Sequence, residues 1–362
     1  MNVYAFMDDY IFYYCLLKQY TKDYIFPTEL IHLIMIYYID SFKHLLVSGD
    51  YHTFYYHDQI LTSFGWNEYN QICVDKSIKK TPYISRTLPN LNLIACGSLY
   101  SVFVSESVYG FGNNYLGQIG RYVNLTVVIP EKIKVVGKVL AVSCGSYHTI
   151  IVTDKHVYGL GCNRHGQLSK QIENYYIPTI IDINNIVNVV CAGFHSFLMT
   201  DKGDVYALGA NQYGQLGLTH RHDINEPEKI NLSHVIAISS GLCHSMFLCK
   251  NGDLYGCGSN IYGQSLANNL LKIMSNVIMV KCGEFFTVVL VKEEKEVLYS
   301  FGRNNFGQLG VDCIEDCFTP QKINLDNILS FSCGKNFTIV NTKNGLYGFG
   351  ADGKCQLGQC KK

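Results

Sequence analysis

The chain has 362 residues, 48% of them hydrophobic and 16% charged, and its 29 basic and 29 acidic residues give a formal net charge of zero. This composition supports a large buried core and excludes a disordered chain. Zero net charge argues against broad electrostatic binding to DNA or to an anionic membrane. The fifteen cysteines include no Cys-x-x-Cys pair, so zinc-ribbon and thioredoxin-like sites lack their basic spacing.

The N-terminal 43 residues do not fit the pattern of the rest. No basic stretch precedes an apolar run there, as a signal peptide requires, and no apolar run approaches the ~20 residues that span a bilayer. We therefore expect a cytoplasmic or nuclear protein with reduced thiols. Pro27 and Glu29 precede an apolar body that ends at Ile39, which predicts a helix. This helix either packs on the main domain or, because Phe26-Pro-x-Glu-Leu resembles the opening of an F-box, belongs to an F-box-like segment.

One stretch recurs along most of the chain. From Val157 to Leu168 it reads Val-Tyr-Gly-Leu-Gly-Cys-Asn-Arg-His-Gly-Gln-Leu, a short strand followed by a glycine-rich turn. Its glutamine recurs in seven units, at Gln71, Gln118, Gln167, Gln215, Gln264, Gln308 and Gln356. The steps between these positions are 47, 49, 48, 49, 44 and 48 residues, so the seven units have similar lengths and no large insertion.

Each unit has the same internal order. An apolar strand ends at a Cys-Gly-like pair such as Cys144-Gly145, and a second strand follows. Asn-Gly turns at 251–252 and 344–345 predict tight hairpins to a third, Val-Tyr-x-x-Gly strand. A strand containing proline then leads to the next unit, and proline suits an edge strand because it cannot donate to the ladder. These prolines are Pro82, Pro130, Pro178, Pro227 and Pro320.

Four short strands in each of seven units predict an all-β, seven-bladed β-propeller over residues 44–362, with a short helical extension over residues 1–43. In the glycine-rich loop we expect the Asn to bond the turn backbone, the Gln amide to satisfy the loop and the following Leu or Ile to plug the core. The seventh unit stops soon after Gly358 without its proline strand. A strand from residues 1–25, such as residues 10–17, is predicted to complete that blade.

The motif Gly-x-Asn-x-x-Gly-Gln-Leu-Gly, preceded by Cys-Gly-x-x-His-Ser/Thr, resembles the regulator of chromosome condensation repeat family over residues 44 to 358. The resemblance implies a seven-bladed propeller. It also implies several functions: nucleotide exchange on small GTPases, partner binding, ubiquitin-ligase assembly and ultraviolet-B reception. The photoreceptor function needs clustered tryptophans, and this chain has only Trp66. Exchange on the GTPase Ran relies on a wedge insertion for which the repeat spacing leaves no room.

Some residues could in principle carry chemistry. A His followed by Ser or Thr begins the second strand at His52, His148, His195 and His244. Adjacent strand residues point to opposite faces, so we interpret the pair as a repeated structural hydrogen bond rather than a nucleophile and its base. Histidines converging near the central channel could alternatively bind a metal. The cysteines before the repeat glycines are expected to be small buried apolar groups.

Cys313 and Cys317 lie in an acidic segment, and the alternatives for it are a solvated loop or a metal site. Taking all of this together, we predict no catalytic residue, no cofactor site and no metal site. The expected function is non-enzymatic protein binding through loops that differ between units, over residues 169–174, 218–225 and 311–318. The alternatives are a guanine-nucleotide exchange factor for a small GTPase and an F-box-like substrate adaptor that engages a ubiquitin-ligase adaptor protein.

Overall fold

The seven repeat units fold into seven antiparallel sheets arranged as the blades of a propeller. The computed structural model describes residues 45–72, 80–88, 90–120, 126–171 and 173–358, all within the compact unit Leu45–Lys362. Within those ranges the chain is all-β, with no helix and hence none long and apolar enough to span a bilayer. The predicted N-terminal helix, the F-box-like segment and the predicted closing strand lie outside the described residues.

Strands A, B, C and D of each blade follow one another from the central channel outward. Blades 1 to 3 comprise β1 (Leu45–Ser48), β2 (His52–His57), β3 (Ile60–Trp66) and β4 (Lys80–Thr87); β5 (Leu93–Cys96), β6 (Tyr100–Val104), β7 (Val108–Gly112) and β8 (Val127–Ile133); and β9 (Val139–Cys144), β10 (His148–Thr153), β11 (Val157–Gly161) and β12 (Tyr175–Ile181). Blades 4 and 5 comprise β13 (Ile186–Cys191), β14 (His195–Thr200), β15 (Val205–Gly209) and β16 (Ile224–Lys229); and β17 (Val235–Ser240), β18 (His244–Cys249), β19 (Leu254–Gly258) and β20 (Leu271–Met274). Blades 6 and 7 comprise β21 (Val277–Cys282), β22 (Phe286–Lys292), β23 (Glu296–Gly302) and β24 (Cys317–Ile323); and β25 (Ile328–Cys333), β26 (Phe337–Thr342) and β27 (Gly345–Gly350).

Position within the blade explains the sequence of each strand. The B strand β10 is buried at all six residues, because neighbouring blades cover both of its faces and its centre is therefore Ile-Ile-Val. The D strands of blades 1, 2, 3, 4 and 6 contain the five prolines at the outer edge, which confirms the edge-strand prediction. Six of the seven C strands end in a glycine with positive φ, and in β3 the glycine, Gly65, is the last residue but one. At Gly161, where φ is 94°, the pairing with strand D shifts register. Glycine adopts this conformation without steric cost.

The ring closes between blades 7 and 1. The A strands contact their neighbours around the whole circle, including β25 with β1. The backbone N–H of Ser48 donates to Ser332 Oγ at 2.9 Å, and Lys335 donates from its backbone to the Asp50 carbonyl at 3.2 Å. The A strands line a central cavity of about 460 Å³. The predicted closed ring of seven blades is therefore confirmed.

Blade 7 has three strands among the described residues. Its outer strand β27 leaves Leu346 38% exposed, whereas the equivalent Leu254 and Leu298 of blades 5 and 6 are fully buried beneath a D strand. The edge of β27 is thus apolar in sequence yet uncovered by any described strand. The completing strand predicted from residues 1–25 stays a prediction.

Candidate protein-interaction face

One face of the propeller, named the loop face here, is formed by the A–B turns and the C–D loops. A single hydrogen bond fixes these loops to each other in every blade. The residue that follows the positive-φ glycine of strand C donates its backbone N–H to the carbonyl of the residue that precedes strand B, at 2.8–2.9 Å. The pairs are Trp66–Tyr51, Asn113–Leu99, Cys162–Tyr147, Ala210–Phe194, Ser259–Cys243, Arg303–Phe285 and Ala351–Asn336. The A–B turn and the C–D loop of each blade are therefore joined at one surface.

The repeat Asn and Gln hold the C–D loops rigid. In six units the Asn Oδ1, and in the seventh the Asp352 Oδ1, accepts the backbone N–H five residues later, at 2.8–3.3 Å. Each Gln Oε1 accepts the N–H two residues earlier, at 2.8–3.0 Å. The apolar residue that follows is buried, as Leu168, Leu216 and Leu309 are. The predicted roles of all three loop residues are confirmed.

The His-Ser/Thr pairs connect neighbouring blades. The residue after each His points away from it, and the His ring reaches the hydroxyl of the next blade at 2.9–3.2 Å. The four bonds are His52–Ser101, His148–Ser196, His195–Ser245 and His244–Thr287. The interpretation as a repeated structural hydrogen bond is therefore confirmed. These histidines are fully buried, so they contact no solvent or substrate.

The tautomer of these rings follows from their partners. Ser101 and Thr287 each donate a hydroxyl hydrogen, at 2.8 Å, to the backbone carbonyl of Gln71 and Gln264 respectively. Each hydroxyl oxygen therefore accepts a hydrogen bond from the Nε2–H of its histidine. The Nδ1 atoms of all four histidines have no hydrogen-bond partner. A second proton there would find no acceptor, and burial lowers the pKa of each ring to about 3. Each ring is therefore neutral and joins its blade to the next through one hydrogen bond. We call these four residues the clamp histidines.

Partly exposed aromatic side chains lie in the turns and loops of the loop face. Tyr262 of blade 5 meets Phe285 of blade 6 with ring centroids 5.6 Å apart. In blade 1, Tyr51 lies 5.3 Å from Trp66, which lies 5.8 Å from Tyr69. Each of these five rings is only partly buried. Blades 1, 5 and 6 therefore present aromatic side chains on this face, which we call the aromatic arc.

Cations stack on this aromatic arc. The Arg303 guanidinium lies 5.3 Å from the Tyr262 ring centroid and 5.8 Å from that of Phe285. Lys354 of blade 7 lies 4.4 Å from the Trp66 ring of blade 1. Such contacts are worth roughly 0.5–1 kcal/mol at exposed sites. They hold long, flexible side chains in place before any partner arrives, which lowers the entropic cost of docking.

A small charged cluster lies at the mouth of the channel, inside the arc. Lys335 Nζ pairs with Glu284 Oε1 at 3.0 Å, and Ser98 donates its hydroxyl to Asp50 Oδ2 at 2.5 Å. Burial raises the pKa of Asp50, against the lowering effects of Ser98 and Lys335. Burial likewise raises the pKa of Glu284, and Lys335 opposes it. The cluster therefore places two carboxyl groups beside one ammonium group, and the Arg303 guanidinium also acts on Glu284.

The cysteines before the repeat glycines lie along the channel wall. Cys144 and Cys282 are buried, as predicted, whereas Cys96 and Cys333 are half-buried. Cys191, two residues before its repeat glycine, is also buried. Burial raises the pKa of the Cys282 thiol to about 12, so it stays protonated and inert. No three His, Cys, Asp or Glu side chains in the described ranges are arranged to hold a metal ion.

The predicted variable loops, residues 169–174, 218–225 and 311–318, all belong to C–D connections of the loop face. Asp223, in the second of these loops, accepts a 2.8 Å hydrogen bond from His165 of blade 3.

Comparisons with known proteins agree with this architecture. The model described as "Regulator of chromosome condensation (RCC1) repeat" matches residues 105–152, 202–248 and 296–340. A second model of the same description matches residues 139–167 and 235–264. Together the matches fall on blades 2 to 7, and both models describe the repeat that carries the Gly-Gln-Leu motif.

Two relatives are similar over most of this chain. The X-linked retinitis pigmentosa GTPase regulator of Mus musculus is 36% identical over 295 residues, 73% of this chain and 29% of that protein. The regulator of chromosome condensation of Xenopus laevis is 25% identical over 81% of this chain and 67% of its own length. The chain thus spans less than a third of the GTPase regulator.

Two solved structures share the fold. Prp20p from Saccharomyces cerevisiae, described together with its binding to Gsp1p and histones, superimposes with a TM-score of 0.72 at 18% identity, over 86% of this chain and 83% of that one. Human WBSCR16 superimposes with a TM-score of 0.72 at 20% identity, over 83% and 87% of the two chains. At these identities the likeness concerns the fold.

Proposed function

Because the chain belongs to the proteins built from regulator of chromosome condensation repeats and folds as their seven-bladed propeller, we propose that it is a non-enzymatic scaffold whose loop face binds a partner protein. The observation that carries the proposal is the arc of Tyr262, Phe285, Arg303, Tyr51 and Trp66. Tyr, Trp and Arg dominate the binding energy of protein interfaces. Here they are grouped on one surface and their positions are fixed by a rigid frame.

The groups that could carry catalysis are engaged elsewhere. The histidines that resembled general bases are buried, neutral and bonded to the next blade. The buried channel thiols have raised pKa values, which disfavours the thiolate form that a nucleophile needs. A rigid surface of aromatic anchors around a mixed-charge centre suits recognition of a protein with apolar and charged residues side by side.

The experiment is affinity capture with a matched pair of variants. Ile261 is 64% exposed on the loop face beside Tyr262, and Ile60 is 45% exposed at the B–C hairpin of the opposite face. We expect Ile261→Ser to weaken binding of the captured partner by about 1–2 kcal/mol, a 5- to 30-fold increase in Kd, and Ile60→Ser to leave Kd unchanged. The partner is identified by mass spectrometry, and Kd is measured by calorimetry with the purified protein. Equal effects of the two variants would rule out the loop face.

A second candidate is guanine-nucleotide exchange on a small GTPase. Its support is the 36% identity to a protein named as a GTPase regulator and the shared fold with Prp20p, which was studied with Gsp1p. The test is release of fluorescent GDP from Gsp1p with and without the purified chain. Accelerated release that Trp66→Ala abolishes would favour exchange. Binding without acceleration would favour the scaffold alone.

A further inference from the structure

The loop between strands C and D of blade 6 contains two adjacent thiols. Cys313 lies within this loop, and Cys317 is the first residue of β24. Both sulfurs face the carbonyl oxygen of Glu315, Cys313 Sγ at 3.9 Å and Cys317 Sγ at 3.5 Å. Both thiols therefore contact the same carbonyl oxygen while they are reduced.

The two thiols differ in accessibility. Of the eleven free cysteines in the described part of the chain, only Cys313 is exposed. Cys317 is 8% exposed and belongs to the core between blades 6 and 7, with Leu309 and Phe331. One thiol is therefore open to a small oxidant, and the other is anchored on a strand directly behind it.

Local charge disfavours the thiolate at the buried position. Burial, together with smaller contributions from Cys313 and the carboxylates of Asp316 and Glu315, raises the pKa of Cys317 to about 11. A disulfide has no charge for these carboxylates to repel. Because the reduced form gains no thiolate stabilisation, a bond at this site resists reduction better than one between low-pKa thiols.

We propose that Cys313 and Cys317 form a reversible disulfide by exchange with a low-molecular-weight disulfide such as oxidised glutathione. The Cys313 thiolate attacks one sulfur of the small disulfide, and one molecule of small thiol leaves. The Cys317 thiolate then attacks Cys313 Sγ, and the second small thiol leaves. Two protein thiols lose two electrons and two protons in total, and one small disulfide becomes two small thiols.

Closure of this bond would constrain part of the loop face. Asn304 donates from its side chain to the Cys313 carbonyl at 2.6 Å and from its backbone to Asp316 Oδ1 at 2.9 Å. The same loop carries Ile314, which is 74% exposed, and leads to Phe318, which is 61% exposed. The disulfide would join the two ends of the Cys313–Cys317 segment and fix the position of Ile314. The disulfide does not depend on any particular partner of that face.

The chain offers a sharp assay. Trypsin cuts after Arg303 and Lys322, and the resulting 304–322 peptide contains Cys313 and Cys317 and no other cysteine. The folded full chain is incubated with oxidised glutathione, free thiols are blocked with N-ethylmaleimide, and the peptide is weighed. We expect a peptide that takes up no blocking group and is two hydrogens lighter than its reduced form. The 323–335 peptide contains one cysteine, the half-buried Cys333, which is the internal control and should stay free.

Two variants separate the steps. Cys317→Ser should hold a stable mixed disulfide at Cys313, and Cys313→Ser should leave Cys317 unreacted. In the wild type, hydrogen exchange of residues 304–318 should slow after oxidation and recover after dithiothreitol. Free thiols at excess oxidised glutathione, two separate adducts on the 304–322 peptide, or a bond that forms only in urea would each overturn the proposal.

Discussion

The buried histidine clamps make a specific prediction about acid stability. Each ring is neutral in the folded protein because it is buried and its Nδ1 has no acceptor for a second proton. The folded pKa of each is lowered to about 3, whereas an unfolded histidine titrates near 6.5. The rings are His52, His148, His195 and His244. Below about pH 6.5 the unfolded chain therefore binds protons that the folded chain excludes.

The sign follows from linkage. A depressed folded pKa contributes stability that is fully present above the unfolded value of about 6.5 and is lost as pH falls toward 3. Between pH 7.5 and 5.5 each histidine contributes a loss of roughly 1.4 kcal/mol in the free energy of unfolding, so the four together contribute a loss of about 5.5 kcal/mol. That loss is comparable to the whole stability of many domains, about 5–15 kcal/mol. Asp50 and Glu284 act in the opposite direction, since their raised pKa values favour the protonated folded form at low pH.

A single substitution isolates one clamp from these carboxylates. Blades 6 and 7 carry Phe286 and Phe337 where the other blades have His or Tyr, so His244→Phe introduces a ring the fold already accommodates. At pH 7.5 the variant should lose about 1 kcal/mol with the bond to Thr287, which still donates to the Gln264 carbonyl. At pH 5.5 it escapes the roughly 1.4 kcal/mol acid penalty and should equal or exceed the wild type.

The assay is urea unfolding followed by intrinsic fluorescence at pH 7.5, 6.5 and 5.5, with the m value checked for constancy. His156 is exposed at the B–C turn of blade 3, and His156→Gln is the matched control that should keep the wild-type pH dependence. If His244→Phe loses stability with acid as steeply as the wild type, the clamp histidines do not carry the effect and the reasoning is refuted.

Three further changes test the frame. Gly145→Ala would place a Cβ 2.2 Å from the Ala192 carbonyl and 2.3 Å from His148 Cε1, so we expect a loss of about 2–4 kcal/mol in thermal unfolding, whereas Gly353→Ala, with nothing within 4 Å, should be nearly neutral. Asn211→Ala removes bonds to Leu216 N and the His220 carbonyl and should cost about 2–3 kcal/mol in urea; Asn211→Asp keeps the first acceptor, as Asp352 does in blade 7, and should cost less. Deleting residues 1–25 should accelerate hydrogen exchange in β27 and leave β23 unchanged; equal protection in the two chains would contradict the predicted closing strand.

The fold could be predicted from the sequence because every blade packs against its neighbours through the same positions. The positions that pack against the next blade recur at intervals of about 48 residues, so His148, the repeat Asn and Gln, and the leucine plug each reveal their role by recurring. The clamp was foreseen as a structural bond, but its partner was not. The His148 partner, Ser196, lies 48 residues away in the next blade, and a single sequence contains no signal that pairs one unit's His with the following unit's hydroxyl.

The loop face was harder to foresee for the opposite reason. Its charged cluster joins Asp50, Glu284 and Lys335, which occupy the same turn in blades 1, 6 and 7 and do not repeat one another's chemistry. They meet only because the ring closes and brings the two ends of the propeller together. The signal available in sequence was the first position after each repeat glycine, where the residue type changes from unit to unit while its neighbours stay constant. Residues that recur in every blade build the propeller. The residue after each repeat glycine differs from blade to blade, so this is the position at which a partner would be selected.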